Sequence, residues 1–155
     1  MTSVADLMTT DLVTLSEEDG LGRAMTIFTE LPIRHLPVTD GAVLIGMVSQ
    51  RDALSWSGSV IDPGAFSRSQ ASKEARETFV AEVMIRDVVS VPPTATVVEA
   101  ARAILEGGFG CLPVVDEDDN LIGIVTETDL LRHLVSGELT SDQGARAPAA
   151  VRPLE

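Results

Sequence analysis

Two short corners carry the residues with chemistry to offer. Ser49 and Asp52 stand three apart in "GMVSQRDAL" (46–54), and Thr126 and Asp129 stand three apart in "GIVTETDLL" (123–131). In each, a short apolar run reads as a strand that turns directly into a helix. A hydroxyl followed three residues later by an acid is the spacing of a helix start, where both side chains satisfy free N–H groups at roughly 1 kcal/mol each. The same place offers unpaired N–H groups and the positive end of a helix dipole. An Asp there can accept two hydroxyl hydrogen bonds, as from a ribose. Taken alone, the corners leave capping and ligand binding both open.

The cations are distributed unevenly. Arg34 and His35 sit in "IRHLPV" (33–38), and Arg51 lies beside Asp52. Arginine presents a planar, permanently charged fork that suits a phosphate. A solvated surface Arg and a half-buried His at a strand start would need no ligand at all. The equivalents in the second half are Gly110, Cys111 and Thr128, so the first half carries three candidate cations and the second none.

These equivalences come from an internal repeat. A shift of 76 residues lays "VADLMTTDLVTL" (4–15) on "VAEVMIRDVVSV" (80–91), and "LPVTD" (36–40) on "LPVVD" (112–116). One extra residue in "DEDDN" makes the shift 77, and "LIGMVSQRDAL" (44–54) then falls on "LIGIVTETDLL" (121–131). Each copy opens with a segment that holds a Met and leads into a short strand, Leu12–Leu15 or Val88–Val91. A helix follows, with Leu21, Ala24, Met25, Phe28 and Leu31 on its apolar face in copy one, and Val97, Ala100, Ala101 and Ile104 in copy two. Ser16 and Asp19 are expected to start the first of these helices as a capping box. Pro92 and Pro93 precede the second, where a missing N–H does no harm. Two strands and a closing short helix complete a β-α-β-β-α unit. A unit of this size buries too little by itself, and two copies packed sheet to sheet remedy that. Residues 57–78 read as a linker, partly helical, and 137–155 as a mobile tail.

The bulk composition agrees. Hydrophobic residues are 45% of 155 and aromatics only 3%, so the core is aliphatic. The formal net charge of −13 argues against a nucleic acid polymer or an anionic membrane as partner. Cys111 is the one cysteine, which excludes an internal disulfide and a Cys-rich metal site. The start lacks the basic and apolar regions of a signal peptide, and no apolar run reaches the roughly 18 residues of a membrane span. The expectation is a soluble, cytoplasmic protein.

The ordered set of a Met, strand, helix, "LPVxD" and "LIGxVTxxDLL", seen twice in tandem, resembles a pair of CBS domains, or Bateman module. The likeness covers 3–56 and 79–136. It implies an α/β (α+β) fold of two β-α-β-β-α repeats packed through their sheets with pseudo-twofold symmetry. It also implies two clefts for AMP, ADP, ATP or S-adenosylmethionine, a regulated partner protein, and pairing into a homodimer. By the same resemblance, Asp52 and Asp129 take a ribose, Ser49 and Thr126 lie near ribose or phosphate, and Arg34, His35 and Arg51 reach phosphates. Met47 and Ile124 lie beside the base, although strand residues of this type are also ordinary core. A phosphorylated ligand is then expected with the copy-one set, Arg34, His35, Met47, Ser49 and Asp52. The cleft with Ile124, Thr126 and Asp129 is expected to be empty or to accept an uncharged head.

Other motifs lead elsewhere. Asp116, Asp118 and Asn120 have calcium-loop spacing, and Glu127 falls at the twelfth position, but Leu121 stands where that loop requires Gly. A polar hairpin turn is expected. "EGGFG" (106–110) lacks the spacing and Lys of a phosphate loop and reads as a helix end. Cys111 reads as a small buried strand residue, not a nucleophile. No catalytic domain is expected, and the duplicated module fills the chain. The expected function is a regulatory adenine-nucleotide sensor acting on a partner. The alternative is an interaction or dimerisation module with vestigial clefts.

Overall fold

Pro37 and Pro113 set the shape of each sheet. A computed structural model describes residues 2–56 and 78–141, with side chains to 137. The expected linker, 57–77, and the tail from 142 lie outside the described residues. In copy one, β1 (His35–Asp40) and β2 (Val43–Ser49) form an antiparallel hairpin, preceded by α1 (Val4–Leu7) and α2 (Leu21–Glu30) and followed by α3 (Gln50–Trp56). Copy two repeats the order with α4 (Val80–Val83), α5 (Val97–Gly107), β3 (Cys111–Val115), β4 (Leu121–Thr126) and α6 (Glu127–Ser141).

The expected opening strands are reduced to one parallel bridge each, Leu15 with Val38 and Val91 with Val114. Leu15 N–H donates to Pro37 O at 2.9 Å, and Thr39 N–H donates to Leu15 O at 2.8 Å. Val91 repeats this with Pro113 and Val115, both at 3.0 Å. The next rung toward the N-terminus would need a donor at Pro37 or Pro113, and proline has none. The proline of "LPV" thus ends the parallel ladder in both copies.

The helix starts differ from one copy to the other. Thr96 and Glu99 cap α5 reciprocally: Thr96 Oγ1 accepts from Glu99 N–H at 3.1 Å, and Glu99 Oε2 accepts from Thr96 N–H at 2.8 Å. Gly108 closes α5 at φ 69°, in the left-handed region that glycine tolerates. In copy one, Ser16 and Asp19 do not cap α2, which begins later, at Leu21, behind Gly20. Asp19 Oδ2 does accept from Ser16 N–H at 2.7 Å, but in a separate turn. That turn aims its carbonyls at the other copy: Asp19 O and Glu17 O accept from Val80 and Ala81 N–H, at 2.8 and 3.3 Å.

These last bonds reveal an exchange. The free N–H groups of α4, which opens copy two, are satisfied by copy one. Those of α1, which opens copy one, are satisfied by Ala95 O and Pro93 O of copy two, at 2.8 and 3.1 Å. Side chains follow the same rule. Val80 and Met84 complete the core of Leu15, Leu21, Ala24, Phe28, Leu36 and Val48. Val4 and Met8 complete that of Val91, Ala100, Ile104, Leu112 and Val125. Past each opening helix the chain bridges the other copy's hairpin, Thr9 with Ile124 and Ile85 with Met47. Each of these contacts has its mate under exchange of the copies, which is pseudo-twofold symmetry. Met47, Cys111 and Ile124 form a small apolar cluster, flanked by Leu12 and Val88, where the two hairpins meet.

Helix α6 continues to Ser141, past residue 136 where the sequence pattern ended repeat 2. Glu138 and Leu139 are the good helix formers of "SGELTS", and the helix nucleated at the corner propagates through the weaker Ser, Gly and Thr, since propagation is easier than nucleation. Among the described residues no helix is long and apolar enough to cross a membrane.

Candidate functional site

Strand register brings the candidate residues to each corner. His35 pairs with Ser49 across the first hairpin, and Gln50 N–H donates to Arg34 O at 2.8 Å. Arg34 and His35 are therefore held beside the strand end that carries Ser49 and leads to Asp52. In copy two, Cys111 pairs with Thr126, and Glu127 N–H donates to Gly110 O at 3.3 Å.

The two corners are unequal. At the second, Asp129 Oδ2 accepts from Thr126 N–H at 2.9 Å and from its hydroxyl at 3.0 Å, while Asp129 N–H donates to Thr126 Oγ1 at 3.3 Å. This is a complete reciprocal cap. At the first, Asp52 N–H donates to Ser49 Oγ at 3.0 Å, and the return bond is not made. Among the described residues the Asp52 carboxylate accepts no hydrogen bond. It stands half-buried at the start of α3.

A cleft lies at each corner. The first, of about 600 Å³, is lined by Arg34, His35, Met47, Ser49, Arg51 and Asp52, with Asp87, Phe109 and Gly110 from copy two. The second, of about 540 Å³, is lined by Ile124, Thr126, Asp129 and Arg132, with Asp11, Arg34 and His35 from copy one. Both fall in the size range of small-molecule sites. All nine residues singled out from the sequence line one cleft or the other. Met47 and Ile124 are also nearly buried, at 7% and 9% exposed, and form part of the apolar wall between the clefts.

The second copy supplies no cation at the positions matching Arg34, His35 and Arg51, yet its cleft is lined by arginines. Each cleft lies between copies, so the 32–35 segment of copy one faces the Thr126–Asp129 corner, and 108–110 of copy two faces the Ser49–Asp52 corner. Arg34 and His35 consequently line both. Arg132, unremarked in the sequence, joins the second cleft from one turn beyond Asp129 on α6, and that helical spacing was its available signal. Asp11 and Asp87 were also missed. They are equivalent, and identity at one position of both copies was the signal.

His35 is not a standing cation. Burial, reinforced by the neighbouring Arg34 charge, holds its pKa below the ordinary 6.5, against weaker opposing pulls from Asp52 and Glu127. The imidazole is neutral at neutral pH, so the permanent cations of the first cleft are Arg34 and Arg51. Burial pushes the Cys111 thiol up to about 12, which leaves it protonated and unreactive. Asp116, of the calcium-like stretch, spends its carboxylate on the hairpin turn, accepting from Asp118 and Asn120 N–H at 2.9 Å each. Among the described residues no group of three or more His, Cys, Asp or Glu is placed to hold a metal ion.

Comparison with known proteins finds one family twice along the chain. The CBS domain model matches residues 4–59 and again 80–136. The CBS domain-containing protein YhcV of Bacillus subtilis is 30% identical over 138 residues, 89% of each chain. CBSX2, a CBS-pair protein of Arabidopsis thaliana solved in complex with AMP, superposes with a TM-score of 0.75 at 27% identity, over 89% of this chain and 99% of its own. The cytosolic domain of the Mg2+ channel MgtE in complex with ATP gives 0.64 at 31% identity, over 84% of this chain and 48% of that one. The chain spans only 24% to 46% of several other curated relatives, some of which carry enzyme names.

Proposed function

We infer that this chain, which belongs to the CBS domain family as a tandem pair, is a regulatory module that binds a phosphorylated adenosine between its repeats and reports occupancy to a partner protein. One observation carries the reading: half-buried Asp52, whose carboxylate accepts no hydrogen bond among the described residues, lines the same cleft as Arg34 and Arg51. The carboxylate is suited to two ribose hydroxyls, and the guanidinium groups to a phosphate at one end of the ligand. AMP and ATP in the two related structures support the ligand class. S-adenosylmethionine offers the arginines a single carboxylate in place of a phosphate and brings an ammonium and a sulfonium cation with it, so AMP, ADP and ATP are the ligands proposed for this cleft.

Ligand in a cleft touches both copies, so it can bias their relative angle. It shifts that equilibrium only by its differential affinity for the two states. A second copy of the chain is the proposed cover for exposed Leu131, Leu134 and Val135 on α6, which gives a homodimer. We assign no reaction to the chain, and read it as cytoplasmic from its acidic charge and cysteine content. The competing reading, an interaction module with vestigial clefts, is separated by thermal melting with AMP, ADP and ATP. A ligand at 100 times its dissociation constant adds roughly 2.7 kcal/mol. Absence of any shift with all three would reject the nucleotide reading.

A further inference from the structure

The two clefts draw on one shared cation. Arg34 and His35 line both, whereas their copy-two equivalents, Gly110 and Cys111, bring no charge. Beyond these, the first cleft has one arginine of its own, Arg51, against the carboxylates of Asp52 and Asp87. The second has Arg132 against three carboxylates, Asp11, Glu127 and Asp129. Each cleft is therefore acidic without Arg34, the second more so. A phosphate entering either one needs that guanidinium, because a partly desolvated anion beside unbalanced carboxylates is costly. The fork of one arginine makes its bidentate contact with one phosphate at a time.

We propose that the clefts compete for Arg34, so that a chain takes one phosphorylated adenosine tightly and the other cleft then admits only an uncharged nucleoside with comparable ease. The phosphate goes to the first cleft, where Arg34 brings the count of cations and carboxylates level. In the second, even with Arg34, carboxylates outnumber arginines three to two. Because coupling is reciprocal, phosphate in either cleft weakens phosphate binding in the other by the same factor. Two near-equivalent sites made by gene duplication thus act as one phosphate site and one nucleoside site. The inference rests on the adenosine reading above.

Calorimetric titration of the full chain with AMP, and separately with adenosine, tests it. The second AMP is expected to bind at least about tenfold more weakly than the first, equivalent to about 1.4 kcal/mol. Adenosine is expected to fill both clefts without that gap. Arg34→Ala should narrow the gap by weakening the first AMP. Thr128→Arg, at an exposed position, gives the second cleft the arginine that the first has at position 51, and should narrow the gap. Two AMP molecules bound with indistinguishable affinity, or an equal gap for adenosine, would overturn the competition and leave the nucleotide reading standing. A gap unchanged by both substitutions would overturn it too. No binding of either compound would overturn both readings together.

Discussion

Met84 occupies the space that a side chain at Gly46 would need: a Cβ built on Gly46 would lie 2.5 Å from Met84 Sδ and 3.1 Å from Ile85 O. Met8 stands over Gly123 in the same way. The Gly of each "LIG" is thus the place where the opening segment of the other copy crosses a hairpin. Gly46→Ala is expected to destabilise by about 1–3 kcal/mol through overpacking, and Met84→Ala by about 2–5 kcal/mol through the cavity it leaves. The double variant should cost clearly less than the sum, because the smaller side chain relieves the clash. Urea unfolding of the four proteins measures the coupling.

The two corners should separate stability from binding. Asp129 accepts two hydrogen bonds from Thr126, and Asp52 accepts none from the described residues. Asp129→Ala is expected to cost about 1 kcal/mol more than Asp52→Ala in chemical denaturation. In AMP titrations the order reverses, and Asp52→Ala should lose at least tenfold in affinity for the first molecule bound. Equal stability losses would mean that the corners are energetically alike.

Thr96 offers a cap that its copy-one equivalent, Gly20, cannot. Thr96→Ala should lower stability by about 0.5–2 kcal/mol. Thr96→Gly should cost less, since glycine is itself a tolerated cap residue. Thermal melts of both variants check the order.

Acidification should weaken the fold through His35. Its folded pKa lies below 6.5, so between that value and 6.5 the unfolded chain binds more protons than the folded one. Stability contributed by neutral His35 is therefore present above about pH 6.5 and lost as pH falls toward the folded pKa. His35→Gln should flatten this part of the profile of urea midpoint against pH.

At the alkaline end Cys111 acts with the opposite slope. Its thiol titrates near 9 when unfolded and at about 12 when folded. Above pH 9 the unfolded chain loses the proton first, so stability falls as pH rises toward 12. Cys111→Ala should remove that slope from the same measurement, with a constant loss from the smaller side chain.

The sequence alone determined the duplication, the run of helix, two strands and closing helix in each copy, and the two hydroxyl-x-x-Asp corners, but not the short helix that opens each copy. These are local or translational properties: periodicity, cap spacing and identity at a fixed shift are visible without knowing what packs on what. All nine residues named from the corner spacing and the family resemblance line a cleft, and strand register is what holds Arg34 and His35 beside Ser49. Tertiary structure decided what a repeat pattern cannot encode. The pattern says that Val4 is equivalent to Val80, but not that each completes the core of the opposite copy. It says that Arg34 has no charged equivalent, but not that Arg34 lines both clefts, or that Arg132, Asp11 and Asp87 share them. Equivalence is a relation between copies, whereas contact depends on the rotation that packs them. The pseudo-twofold places each opening segment, and each half of each cleft, on the far side of that axis.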